Sequence, residues 1–149
     1  MNDQHQYEVN LQWDSERKGT VSSPVLPTQI EVATPPEFNK GIAGIWSPEH
    51  LFVASVNSCL MTTFLAIAEN SKLEYLSFDC DATGILDKVE GKYAVTEIIL
   101  KPRLVIPLSH DLNRAKRILE MSEKACLISN SVKSKITMES TVSFPVNTN

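Results

Sequence analysis

The sequence predicts an α+β domain with a mostly antiparallel sheet. Three observations carry that prediction: period-two alternation near the N-terminus, two long helical segments, and further alternating strands between and after them. The expected order is βββ-α-ββ-α-β. The chain of 149 residues has the length of one domain, 1–149.

The first strand is expected at 8–14, where Val9, Leu11 and Trp13 alternate with Glu8, Asn10, Gln12 and Asp14. The polar run 14–19, ending in Gly19, marks a hairpin turn. Strands follow near 20–23 and 28–33, and Pro24 and Pro27 confine them to short or edge positions. Segment 34–46, with two prolines and two glycines, reads as a loop. Its Phe38, Ile45 and Trp46 suit either a pocket wall or packing beneath the loop.

The first long helix spans 47–70. Ser47 is a good N-cap, Pro48 suits the first helical position, and Glu49 suits the positive end of the helix dipole. Its surface is apolar nearly all round, so burial on most sides is expected. Two strands follow. Leu76, Phe78, Cys80 and Ala82 share one face of the first. After a turn at 88–91, Ala94, Ile98, Leu100, Leu104 and Ile106 alternate with Glu97, Lys101 and Arg103 in the second. A second buried helix is expected from about 109–111 to 130, on the stripe Leu112, Ala115, Leu119, Ser122 and Cys126. A final strand over 134–144 presents Ile136, Met138, Val142 and Phe144.

Composition narrows the function classes. A hydrophobic share of 42% with mixed charge fits a soluble globular protein. A net charge of −4 argues against nucleic acid as a partner. The polar N-terminal stretch lacks the apolar core of a secretory signal, so a cytoplasmic location is expected. Residues 51–68 carry no charge, but Ser55, Asn57, Ser58, Thr62 and Thr63 interrupt them. They read as a buried helix and no membrane association is expected. Three cysteines without zinc-type spacing suggest neither a disulfide framework nor a metal site.

The chemistry lies with the cysteines. Free cysteine is among the most buried residue types, so Cys59 and Cys80 each read first as packing. Cys126 shifts the balance for Cys59. It lies on the buried stripe of the other helix, and two helices that pack together can bring thiols within disulfide reach, a Cα separation of roughly 4.4–6.8 Å. A reactive thiol must also ionise. Cys59 is ten residues beyond Glu49, about 15 Å along the axis, too far for the helix dipole to help. His50 is out of phase with Cys59 on the helix, which disfavours a Cys–His acyl-transfer enzyme. The other histidines are His5 and His110. Arg17 or Lys18, in the first hairpin, can supply the cation.

Three stretches, RKGTVSS in the hairpin, GIAGIWSPEHLFVASVNSC and EKACLISNS, together resemble the OsmC/Ohr family (osmotically inducible protein C and organic hydroperoxide resistance protein). The resemblance extends over nearly the whole chain. It implies an OsmC-like intertwined homodimer with two active sites at the subunit interface, and a thiol peroxidase acting on organic hydroperoxides. By position, Cys59 matches the peroxidatic cysteine and Cys126 the resolving cysteine. Arg17 matches the arginine that stabilises the thiolate, and Glu49 the carboxylate that holds that arginine. No bound cofactor is implied. The expected reductant is an external dithiol such as a lipoyl group on a partner protein. Two features depart from the pattern. Leu127 stands where the peroxidase branches often have proline, and the loop before the first helix is not the glycine-rich form of the Ohr branch. The alternative on the same fold is a binding or redox-sensing protein without peroxidase turnover.

Overall fold

The structure is a computed structural model and describes residues 3–146. The chain divides between Leu51 and Phe52 into two compact units.

In the N-terminal unit, strands β1 (Asn10–Ser15), β2 (Lys18–Ser23) and β3 (Leu26–Ala33) form an antiparallel sheet in the order β1-β2-β3. The first turn is tighter than the expected polar run: Ser15 pairs with Lys18, leaving Glu16 and Arg17 at the tip. Glu16 takes a left-handed φ of 51°, unusual for a residue with a Cβ. The Trp13 indole braces it by donating to the Glu16 carbonyl at 3.0 Å. Gly19 therefore lies inside β2. A Cβ there would come within 2.7 Å of the Gln12 carbonyl oxygen, so only glycine permits this strand approach. β3 is an edge strand, which accommodates Pro27. Residues 34–46 form turns and bends, tied back by the Ala33 amide donating to the Trp46 carbonyl at 2.9 Å.

Helix α1 (Pro48–Asn70) begins where the capping residues predict. The Ser47 hydroxyl accepts from the His50 amide at 3.1 Å and lies 2.6 Å from His50 Nδ1. Trp46 meets the same imidazole edge-on. His50 is thus committed to the start of its own helix.

The C-terminal unit is built on a long hairpin, β4 (Ser77–Val89) and β5 (Lys92–Val105). Glu90 and Gly91 close it, both at positive φ, the backbone that a two-residue hairpin turn needs. Residues 134–144 form two strands rather than one, β6 (Lys135–Met138) and β7 (Thr141–Ser143). Each pairs parallel with a different part of β5. The break falls at Glu139, whose amide donates to the Leu100 carbonyl at 2.8 Å and ends the β6 ladder. The observed order is βββ-α-ββ-α-ββ, an α+β fold as expected.

Val56, Leu60, Phe64 and Ala68 form the buried stripe of α1, at the i, i+4 spacing of one helix face. Phe64 is fully buried and stacks on Phe78, ring centroids 4.9 Å apart. Val56 and Leu60 pack with Ile98 and Leu100. Phe64 and Ala68 pack with Leu104, Ile106 and Leu119. By length and composition alone α1 is apolar enough to cross a membrane, but this stripe is the core of the unit. Helix α2 (Leu112–Ala125) starts at Asp111, whose carboxylate accepts from the Asn113 amide at 2.8 Å. It ends at Ala125, five residues before the residue-130 boundary expected. Cys126 is its C-cap with extended backbone, and a single 3-10 turn follows at Ser129–Ser131.

Candidate active site

The helix ending places Cys126 opposite Cys59. Cys59 lies midway along α1, beside the buried Val56 and Leu60, and is 7% exposed; Cys126 is 1% exposed. Both thiols are free. The Cys126 thiol faces the Cys59 sulfur and acts on it as a hydrogen-bond donor.

Three further donors converge on Cys59. The Thr63 hydroxyl, one helical turn along α1, lies 3.8 Å from its sulfur. The backbone amides of Ile128 and Leu127, just past the end of α2, also point at it. Internal bonds hold this segment in shape. The Asn130 amide donates to the Cys126 carbonyl at 3.0 Å and the Ser131 hydroxyl to the Leu127 carbonyl at 2.7 Å. Ile128 also packs against the core around Val56 and Leu60. Leu127 contributes here through its main chain, since its side chain is exposed. A proline at this position would have no N–H to offer.

The electrostatic outcome differs between the two sulfurs. Burial is the largest influence on Cys59 and pushes its thiol up, but the donors from Cys126, Ile128, Thr63 and Leu127 outweigh it and hold Cys59 below the ordinary thiol range. Cys126 moves the other way. Burial raises it most, and its role as donor to Cys59 raises it further, against the hydroxyl and amide of Ser129. The two shifts favour ionisation of Cys59 before Cys126. At Cys80 burial outweighs the lowering influence of the Lys101 main chain and of Arg103. Burial pushes it up to about 11, which fits the packing role read from its place on the apolar face of β4.

Arg17 and Glu49 belong to the N-terminal unit. Arg17 is exposed at the hairpin tip, and Glu49 is half-buried in the first turn of α1. They form no ion pair with each other within one chain. Arg17 lines a cavity of about 240 Å³ whose apolar walls include Leu11, Trp13 and Val32. Among the described residues there is no group of three or more potential metal ligands.

The family model described as OsmC-like protein matches residues 41–141. The chain belongs to the OsmC-like family. Peroxiredoxin OsmC of Escherichia coli (strain K12) is 30% identical over 126 residues, covering 82% of this chain and 84% of that protein. The uncharacterized protein YmaD of Bacillus subtilis (strain 168) is 26% identical over 142 residues, 91% of each chain. Among solved structures, an OsmC-like protein of unknown function from Vibrio cholerae superposes with a TM-score of 0.84 at 24% identity, covering 93% of this chain and all of that one. An organic hydroperoxide resistance protein from Elizabethkingia anophelis gives 0.76 at 21% identity, with 97% and 100% covered. These structures share the OsmC fold.

Within that fold, the residues that sequence reasoning missed are those that make Cys59 acidic. Thr63 carried a signal, being four residues from Cys59 on the same helix face. The Leu127 and Ile128 amides carried none, because a main-chain donor is independent of residue type unless that residue is proline.

Proposed function

We propose that this OsmC-like protein is a thiol peroxidase that reduces organic hydroperoxides. The observation that carries the proposal is the pairing of two buried free thiols, Cys59 and Cys126, with Cys59 shifted down and Cys126 shifted up. A thiolate is the nucleophile in thiol chemistry, and the lowering of Cys59 toward that form supports the role. Cys59 attacks the distal peroxide oxygen. The O–O bond breaks, an alcohol leaves, and Cys59 becomes a sulfenic acid. Cys126 then condenses with it, forming the Cys59–Cys126 disulfide and releasing water. An external dithiol, which we take to be a lipoyl group on a partner protein, returns both thiols by exchange. No bound cofactor takes part.

In this reading Arg17 stabilises the Cys59 thiolate and orients the peroxide. Glu49 of a second copy holds Arg17 by a forked ion pair. The apolar walls beside Arg17 suit a hydroperoxide with a hydrocarbon body. Support for a homodimer comes from the N-terminal sheet. All six residues of β1 are exposed, Leu11 and Trp13 both at 72%. Covering each such side chain stabilises by about 1.5–3 kcal/mol, and a second chain is the partner that the matching Arg17 and Glu49 roles require. The three free thiols suit a reducing, cytoplasmic compartment.

Turnover of an organic hydroperoxide with a dithiol reductant tests the reading. Native protein is expected to turn over. Cys59→Ser is expected to consume no peroxide, and Cys126→Ser to consume one equivalent and stop as a sulfenic acid. Native protein that turns over no hydroperoxide, or a Cys59→Ser protein that still does, would contradict it and favour a binding or redox-sensing role.

A further inference from the structure

Four hydroxyl side chains lie on α1, and three of them bond to the main chain. Ser55 donates to the Phe52 carbonyl at 2.7 Å, Ser58 to the Ala54 carbonyl at 2.7 Å, and Thr62 to the Cys59 carbonyl at 3.1 Å. A bond to a carbonyl three or four residues back is the ordinary habit of a helical hydroxyl. Thr63 departs from it. Its hydroxyl lies 3.8 Å from the Cys59 sulfur. The carbonyl four residues before Thr63 is that of Cys59, and it has two lone pairs. The helix ladder engages one with the Thr63 amide. The Thr62 hydroxyl takes the other.

We propose that Thr62 and Thr63 act as a pair, with Thr62 a positioning residue and Thr63 a catalytic one: Thr62 occupies the Cys59 carbonyl, and the Thr63 hydroxyl is thereby left to donate to the Cys59 sulfur. The inference rests on the peroxidase reading above. In the thiol form either atom of the Thr63–Cys59 contact can donate. Once the thiol ionises, the sulfur has no proton and the hydroxyl is the donor. A thiolate is the stronger acceptor, so the bond favours ionisation. The sulfur then attacks the distal peroxide oxygen. An S–O bond forms as the O–O bond breaks, the peroxide proton stays on the sulfenic oxygen, and the departing alkoxide takes up the proton that the thiol released. Charge leaves the sulfur as that bond forms, so the Thr63 bond is strongest before attack. Thr63 therefore raises the thiolate fraction while making each thiolate slightly less nucleophilic. It speeds the reaction at pH below the Cys59 pKa and does not speed it above. The titratable group that faces Cys59 from the end of α2 is Cys126. Against Val56 and Leu60, on either side of Cys59 in α1, β4 brings Phe78 and Cys80, and β5 brings Ile98 and Leu100.

The test compares native protein with Thr63→Val, Thr63→Ser, Thr62→Val and the double variant Thr62→Val, Thr63→Val. Valine keeps the branched shape and removes the hydroxyl. The first readout is iodoacetamide alkylation of Cys59 across pH, followed by site-resolved mass spectrometry, and it needs no peroxide. Thr63→Val is expected to react roughly threefold to tenfold more slowly below the native pKa, and to match or exceed the native rate at high pH, where Cys59 is fully ionised. Thr63→Ser should restore the native profile. Thr62→Val should move the profile the same way by a smaller factor, because the freed carbonyl draws the Thr63 hydroxyl off the sulfur. It should add nothing in the double variant. The second readout, the single-turnover rate with an organic hydroperoxide, should rank the proteins in the same order. A Thr63→Val profile that is unchanged, or depressed equally at every pH, would overturn the catalytic role. A Thr62→Val protein with the native profile, or one whose effect persists in the double variant, would overturn the positioning role. Native protein that alkylates as expected yet consumes no hydroperoxide would overturn the peroxidase reading, while the alkylation profiles separately decide whether the two threonines hold the thiolate.

Discussion

Cys59 and Cys126 face one another yet are shifted in opposite directions, Cys59 toward the thiolate and Cys126 toward the thiol. Cys126, Ile128, Thr63 and Leu127 lower Cys59 against its burial, whereas burial and Cys59 itself raise Cys126.

Reactivity with pH follows directly. The thiolate is the form that alkylates, and Cys59 is held below the usual thiol range, so its iodoacetamide rate should level off at lower pH than that of an ordinary cysteine. The rate should fall as pH drops through that lowered pKa. Cys80, pushed up to about 11, should stay unmodified in the folded protein until pH approaches that value. Site-resolved mass spectrometry of protein alkylated across pH measures both profiles. Equal profiles for the two thiols would show that the donors around Cys59 do not act.

The exposed N-terminal sheet gives a second expectation. Trp13→Glu places a charge on the apolar face of β1, where Trp13 is 72% exposed in the single chain. Light scattering should show the native protein as a dimer and the variant as a monomer or a mixture at micromolar concentration. A native monomer would remove the second copy from which Glu49 is drawn.

The core carries the third. Phe64 is fully buried between α1 and the sheet and stacks on Phe78. Phe64→Ala should cost about 3–5 kcal/mol, measured by denaturant unfolding. A cost near zero would mean that the packing along the α1 stripe is not what stabilises this unit.

Much of this was legible from the chain. Ser47, Pro48 and Glu49 mark the start of α1 because capping is local chemistry. The alternation in β4 and β5 separates Phe78 and Leu100 from Asp79 and Lys101. The errors arose where distant groups decide. The stripe on α2 continues in phase to Cys126, so nothing local signals that the backbone turns extended there. The break between β6 and β7 depends on which carbonyl of β5 is free to accept from Glu139. Cys59 and Cys126 were legible as a candidate pair from two helix stripes and a family resemblance. A lowered Cys59 was expected through Arg17, but the main-chain donors of Leu127 and Ile128 were not legible, because residue type does not signal them.

The central claim is the ordered use of two sulfurs, and one measurement tests it most directly. Reduced protein is given one equivalent of an organic hydroperoxide, quenched at short times and mapped by mass spectrometry without reduction. The account predicts a Cys59–Cys126 cross-linked peptide that forms rapidly in native protein and fails to form on that time scale in Arg17→Ala. Thiols that remain reduced, or a cross-link through Cys80, would contradict it.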